Sequence, residues 1–387
     1  GGCGHRSILP ESVSAAYTAV VIAPSEFVQR MRRAADSLEA LGADALVVTP
    51  GPALRYLTNY DAVALERLTC LVLQPGREAV LVVPALEYPA ALAAGVEALG
   101  IQVVSWQEDQ DAVAMVVELL PYEAVIAVDD HMPATKVLAL AQAMSSMPVL
   151  AGPALNALQM IKSSAEIDEL RIAGAAIDRV HARMGEWLQA GRSEAQVARD
   201  IAEAIVAEGH ARVDFVIVAS GPHSASAHHA VSDRILQAGE PVVVDIGGTT
   251  PSGYCSDETR TYWLGKPDQQ YLEHCAALER AQQEAFDAAT IGASAQSVDA
   301  AARQVLAEAG LGEYFVHRTG HGIGTSTHEE PYIVQGNPQE LRAGMAFSIE
   351  PGFYIPQRWG ARLEDIVVMT REGAQRVNHR PRGLTLL

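Results

Sequence analysis

Residues 241–265, PVVVDIGGTTPSGYCSDETRTYWLG, set the architecture of the half of the chain that carries its polar chemistry. A Val-Val-Val run ends on Asp245, Gly247 and Gly248 follow, Pro251, Ser252 and Gly253 make a turn, and Asp257 starts a second β-forming run. Two such runs about a Pro/Ser/Gly turn predict a hairpin, and a hairpin can bring both carboxylates to one place. An aspartate emerging from a buried apolar strand is costly as an unpaired charge. A bound cation would remove that cost, whereas a turn-capping role accounts for either aspartate alone.

Around this hairpin lie further strand patterns, VDFVIVASG (213–221), MAFSIEPGFYI (345–355) and ARLEDIVVMT (361–370), and helical patterns over 268–289 and near 297–309. Another helix opens at RSEAQVARDIAEAIVAEG (192–209), where Ser193 and Gln196 have capping-box spacing. Ahead of it, residues 153–191 read as one long helical stretch, a linker helix running into the first core helix. Residues 153–387 are therefore expected to form an α+β domain.

Residues 25–152 have a different texture. An amphipathic helix ends near Gly42 and runs into an apolar strand, TCLVLQPGREAVLVVP (69–84) reads as a hairpin, and IQVVSW (101–106) and AVIAVDD (124–130) are each followed by a helix. That alternation predicts a smaller α/β domain, and 387 residues leave room for two cores. The chain opens on GGCGHRS rather than Met, so residues 1–24 are expected to be an extension with a start of the kind cloning leaves. Within it AAYTAVVIAP (15–24) is short and lacks a basic leader, unlike a signal peptide.

Composition removes several function classes. With 49% hydrophobic and 19% charged residues the chain has ample core and is not disordered. A formal charge of −19 repels phosphate backbones and anionic membrane surfaces, so neither nucleic acid nor membrane is an expected partner. Cys3, Cys70, Cys255 and Cys275 are scattered without CxxC spacing, which fits a reducing, cytoplasmic location. No apolar run reaches the roughly 18–20 residues that span a bilayer.

Three more segments carry reactive side chains. HRTGHGIGTSTHEEP (317–331) places His317, His321 and His328 among alternating glycines, a pattern that is no ordinary helix and lets backbone pass close to a ligand. Glu350 closes the apolar strand MAFSIEPG, and Glu364 sits inside ARLEDIVVMT. A surface-facing strand position explains either glutamate alone, but not the whole set. Four carboxylates balance two divalent cations, and a neutral imidazole completes an oxygen-rich donor set that suits Mn or Co, with Zn admissible. Two such ions about 3.5–4 Å apart can hold a bridging hydroxide and polarise a carbonyl, which points to acyl-bond hydrolysis.

DIGGTTPSGYCSDETRT, HRTGHGIGTSTHEEP, SIEPGFY and RLED resemble the motifs of the pita-bread metallopeptidases, the family of methionine aminopeptidase, aminopeptidase P and prolidase. The resemblance covers roughly residues 155–387, and the preceding α/β domain matches the prolidase, aminopeptidase P and creatinase layout. It implies a creatinase/aminopeptidase-like catalytic fold in which Asp245 binds one metal, His321 and Glu350 the other, and Asp257 and Glu364 bridge both. Glu350 would also shuttle the proton of the attacking water. His328 would steady the substrate carbonyl, and His228, with His229 beside it, matches the family's substrate histidine. Arg362 and His317 would be supporting or substrate-side groups.

Two departures stand out. The interval between the aspartates is one residue longer than the family commonly uses, which lengthens the turn at Pro251. Many prolidases also place an arginine four residues after the second motif histidine to hold the dipeptide's carboxylate, and here that substrate-side place belongs to Tyr332. The clamp is then expected from Arg358, Arg362 or the segment LRYLTNYDAVALER (54–67) of a partner subunit. The resemblance implies a homodimeric Xaa-Pro dipeptidase acting on proline-containing dipeptides. The alternatives are an aminopeptidase P acting on longer peptides and, from another class, a non-catalytic peptide-binding module, although such modules usually lose ligands. A methionine aminopeptidase needs no extra amino-terminal domain, and the creatinase branch lacks the full ligand set.

Overall fold

The computed structural model describes residues 22–387, so Cys3 and nearly all of the 1–24 extension, including most of its 15–24 stretch, lie outside the described residues. The described residues divide into two compact units, one ending at Met160 and the other Ile161–Leu387.

The first unit is built on a six-stranded sheet of β1 (Ala45–Val48), β2 (Cys70–Leu73), β3 (Ala79–Pro84), β4 (Ile101–Trp106), β5 (Ile126–Val128) and β6 (Val149–Leu150), in the order β4-β3-β2-β1-β5-β6. The expected hairpin is β2 against β3, antiparallel, while β4, β5 and β6 each join a parallel neighbour. Both faces of the sheet are covered. Leu46 and Val48 of β1 point into one core and Ala45 and Val47 into another, as a period of two dictates.

The helical stretch 153–191 is interrupted. Its first piece, Gly152–Met160, buries Leu155 and Leu158 in the core of the first unit. A new helix, Ser164–Ala182, starts with its own capping box, Ser163 with Glu166. The reciprocal bonds satisfy donors that a helix start leaves free, so the chain gains by breaking here. The helix Glu194–Ala207 starts with the Ser193/Gln196 box read from its spacing.

In this second unit β7 (Arg212–Ser220), β8 (Pro241–Thr249) and β9 (Glu258–Trp263) form an antiparallel meander, with β17 (Thr385–Leu386) added parallel to β9. A second sheet runs β11-β10-β12-β15-β16, from β10 (Gly320–Gly322), β11 (Glu329–Ile333), β12 (Ala346–Ile349), β15 (Asp365–Thr370) and β16 (Gly373–Arg376). The pair β13 (Gly352–Ile355) and β14 (Trp359–Arg362) stands apart as a two-stranded ribbon. Helices Gln269–Ala288 and Ala295–Glu308 complete the unit. Gly320 is required by close approach: a Cβ there would lie 1.8 Å from the Ser348 carbonyl oxygen of β12. The hairpin turn uses Gly253 at φ 90°, a conformation that L side chains rarely adopt.

Candidate active site and metal centre

The two sheets deliver their polar residues to one cleft of about 550 Å³. Asp245 lies on β8 and Asp257 one residue before β9, His321 is the middle residue of β10, Glu350 follows β12, and Glu364 links β14 to β15. All five line the cleft, with His228, His317, His328 and Arg362. Phe215 and Ile217, alternate residues of β7, add an apolar wall beside Asp245, to which Ile217 is paired across the sheet.

The carboxylates are short of partners. Asp245 receives the Arg362 guanidinium on Oδ2 at 2.6 Å, but its buried Oδ1 has no hydrogen bond. Glu364 accepts from the Thr259 hydroxyl at 2.7 Å and Glu350 from the Ser348 hydroxyl at 3.1 Å. His321 donates from Nδ1 to the Gly322 carbonyl at 3.1 Å, which leaves Nε2 facing Glu350 Oε1 at 3.2 Å and Asp257 Oδ2 at 3.7 Å. Burial, then His328, pushes the His321 imidazole down to about 3, so it is neutral near pH 7 and its Nε2 lone pair confronts two acceptors. A cation between them, or a proton held on one of the acids, makes that arrangement favourable.

The acids report the same deficit. Burial, then the charges of Glu364, Asp245 and Glu350, raises Asp257 well above the usual carboxylate range. Glu364 is raised likewise by burial, then Glu350 and Asp245. Glu350 is pushed up to about 7, chiefly by burial, against the pull of Arg362. Atoms of Asp257, His321 and Glu364 lie within 4.8 Å of one another, a spacing that lets one ion touch all three. The orphaned oxygen, the crowded acids and the exposed imidazole lone pair fit divalent cations held by oxygen and one nitrogen.

The supporting groups form a chain. His317 donates from Nδ1 to the Arg318 carbonyl at 2.7 Å and is bonded through Nε2 to the Tyr354 hydroxyl at 2.9 Å, which accepts from Arg362 Nη1 at 2.8 Å. Burial, then Arg362, pushes His317 down to about 4, so it accepts at Nε2. With Thr259 and the Ala227 carbonyl as its other partners, Arg362 is committed to holding Asp245 and the cleft wall. The Tyr354 link, absent from the sequence reading, had no signal beyond its place in SIEPGFY.

Tyr332 does not line the cleft. Its ring lies 4.4 Å beneath the guanidinium of Arg318, and Arg318 does line it. Arg318 was missed although it directly follows His317 in the glycine-rich segment. Arg358 is turned elsewhere, stacked on Trp359 at 3.8 Å and bonded to Gln270 at 2.8 Å. His228 and His229 separate: the first lines the cleft, the second donates to Glu194 at 2.8 Å.

Comparison with known proteins bears on the family. The model of metallopeptidase family M24 matches residues 168–371, and that of the creatinase/prolidase N-terminal domain matches 30–173. A probable dipeptidase PepE of Mycobacterium tuberculosis is 53% identical over 362 residues, 93% of this chain and 96% of the relative. The crystal structure of dipeptidase PepE from Mycobacterium ulcerans superposes with a TM-score of 0.89 at 54% identity, covering 94% of this chain and 98% of that one. A recombinant prolidase from Thermococcus sibiricus gives 0.87 at 32% identity over 93% and 99% of the two chains.

Proposed function

The chain belongs to metallopeptidase family M24, and from that premise we propose that it is a two-metal Xaa-Pro dipeptidase which hydrolyses the bond preceding proline. The observation that carries the reading is the His321 lone pair set against Glu350 and Asp257 beside the orphaned oxygen of Asp245. Two divalent cations held by Asp245, Asp257, His321, Glu350 and Glu364 would supply Lewis acidity and acidify a water toward neutral pH. The oxygen-rich donor set favours Mn or Co, with Zn admissible.

The chain's own residues do the rest. Glu350, which lines the cleft beside His321, takes a proton at a carboxylate oxygen and returns it to the leaving imino nitrogen, the duty of a general base. His328, lowered by burial and then Arg318, is neutral and can donate to the substrate carbonyl oxygen. His228 stands on the same cleft as a second substrate-side donor. Phe215 and Ile217 give the proline ring an apolar wall.

Arg318 supports a dipeptide over a longer peptide. It is a cation in the cleft with no ion pair among the described residues, steadied by the Tyr332 ring, and a free C-terminal carboxylate is its natural counter-ion. Steady-state rates on Ala-Pro, Ala-Pro amide and Ala-Pro-Ala test this. Arg318→Ala is expected to raise KM for Ala-Pro roughly tenfold or more, the scale of a lost charge-assisted hydrogen bond, and to leave the amide unaffected. Faster turnover of Ala-Pro-Ala than of Ala-Pro would instead make the enzyme an aminopeptidase P. A homodimer, the commonest soluble oligomer, is part of the proposal. So is a reducing, cytoplasmic location, supported by the free thiols of Cys70, Cys255 and Cys275. Among the described residues no helix is long and apolar enough to cross a membrane.

A further inference from the structure

A second carboxylate–histidine cluster lies outside the cleft lining. Glu194, the first residue of the helix Glu194–Ala207, is wholly buried, yet both its oxygens are filled with donors. Oε1 accepts from the Ser220 amide (2.9 Å), the Ser220 hydroxyl (2.7 Å) and His223 Nδ1 (3.0 Å). Oε2 accepts from His229 Nε2 (2.8 Å), the Ser232 hydroxyl (2.7 Å) and the Ser232 amide (3.2 Å). Burial alone would raise this acid, but the donors of Ser220, Ser232 and His229 outweigh it and hold Glu194 at about 2. It therefore stays an anion throughout the physiological range.

Those donors come from both ends of one segment. Residues 220–232 leave the end of β7 and return ahead of β8, and a single carboxylate ties 220 and 223 at one end to 229 and 232 at the other. Between the ties His228 reaches the cleft, exposed, its imidazole without a hydrogen bond among the described residues. Nothing in its own side chain fixes it, so its place is set by its backbone. His229, the adjacent residue, is bonded directly to Glu194. Farther back in the segment, Ser224 Oγ accepts from the Gly360 amide at 2.9 Å and the Ala227 carbonyl accepts from Arg362 at 3.1 Å. These bonds hold the flank before His228, and Glu194 holds the flank after it.

We propose that Glu194 is a positioning residue for hydrolysis, which acts by clamping the 220–232 segment through His229 and Ser232 so that His228 is presented to the substrate. The inference rests on the reading of His228 as a substrate-side group. It differs from a general stabilising role because its effect must vanish when His228 is absent.

The test is a double-mutant cycle on the metal-loaded full chain, reading kcat, KM and metal content with Ala-Pro. Glu194→Gln and the milder His229→Gln and Ser232→Ala are each combined with His228→Ala. On the wild-type background Glu194→Gln and His229→Gln are expected to lower kcat/KM about 10- to 100-fold, the scale seen when a group that orients a functional residue is lost, with metal content unchanged. On the His228→Ala background the further loss should shrink to within about twofold, the mark of residues acting as one unit. Should Glu194→Gln fail to fold, the His229 and Ser232 variants complete the same cycle. Equal losses on both backgrounds, or no loss on the wild-type background, overturn the inference and leave His228 standing. A His228→Ala enzyme with wild-type kinetics overturns the reading of His228, and the inference with it.

Discussion

The second unit holds two clusters made of the same side chains, glutamates or aspartates against histidines, with opposite electrostatics. In the cleft, acids outnumber donors: Asp245 keeps a bare oxygen, Asp257 and Glu364 are raised by burial and by one another, and the His321 lone pair faces carboxylates. Around Glu194, donors outnumber acids, and the carboxylate is held at about 2 although buried. Both clusters have ligand atoms close enough to touch one ion. Proximity alone therefore does not mark a metal centre. The balance of donors and acceptors does, because a buried acid that already accepts from amides, hydroxyls and imidazoles gains little from a cation.

That contrast can be broken most forcefully at Asp257. Asp257→Asn removes a charge from the cluster that needs cations, so activity should fall by about a thousandfold or more, the scale of losing an electrostatic catalytic element, and metal content should drop with it. An active, fully loaded Asp257→Asn enzyme would mean that the cleft acids are as self-sufficient as Glu194.

A smaller effect lies in stability against pH. A carboxyl whose folded pKa is raised binds more protons folded than unfolded, so it destabilises the metal-free fold as pH climbs through the window between the two values, from about 4.5 to about 7 for Glu350. Metal cancels this, and the gap in Tm between metal-loaded and metal-free protein should widen from pH 5 to pH 8. Glu194 has its depressed value about 2, so its contribution is complete above 4.5 and is lost only toward 2. The Tm deficit of Glu194→Gln should therefore stay level over the same range. Scanning calorimetry on the metal-loaded, metal-free and Glu194→Gln proteins checks both halves, and a narrowing gap or a sloping deficit would reverse the assignment.

The smallest effect is an expected absence of change. His223→Ala and His229→Ala should leave the metal content of the loaded enzyme as it was, measured by plasma emission. Loss of an ion in either would turn the Glu194 cluster into a metal site.

The cleft was legible in the sequence because Asp245 and Glu350 close apolar strands, Asp257 opens the partner strand of the same hairpin and Glu364 sits in a β-forming run, a set of places that few structural roles justify together. The glycines at 320, 322 and 324 announced close backbone approach, which Gly320 makes against Ser348. Glu194 was not legible. The neighbouring capping box was, since that needs only local spacing, but the carboxylate's partners arrive from positions 26 to 38 residues further along the chain. The Arg318–Tyr332 stack was hidden for the same reason: β10 and β11 must pair before the two residues meet. The break at Ser163 could have been found from its Ser-x-x-Glu spacing but was masked by helical periodicity on both sides.

In the proposed two-metal site the cleft acids are incomplete without two cations. The most direct measurement is activity on Ala-Pro as chelator-stripped protein is titrated with Mn and bound metal is counted in the same samples. No activity is expected in the stripped protein, with a maximum at about two ions per chain, the stoichiometry of a two-metal site. Full activity after stripping, or a maximum reached and held at one ion, would contradict it.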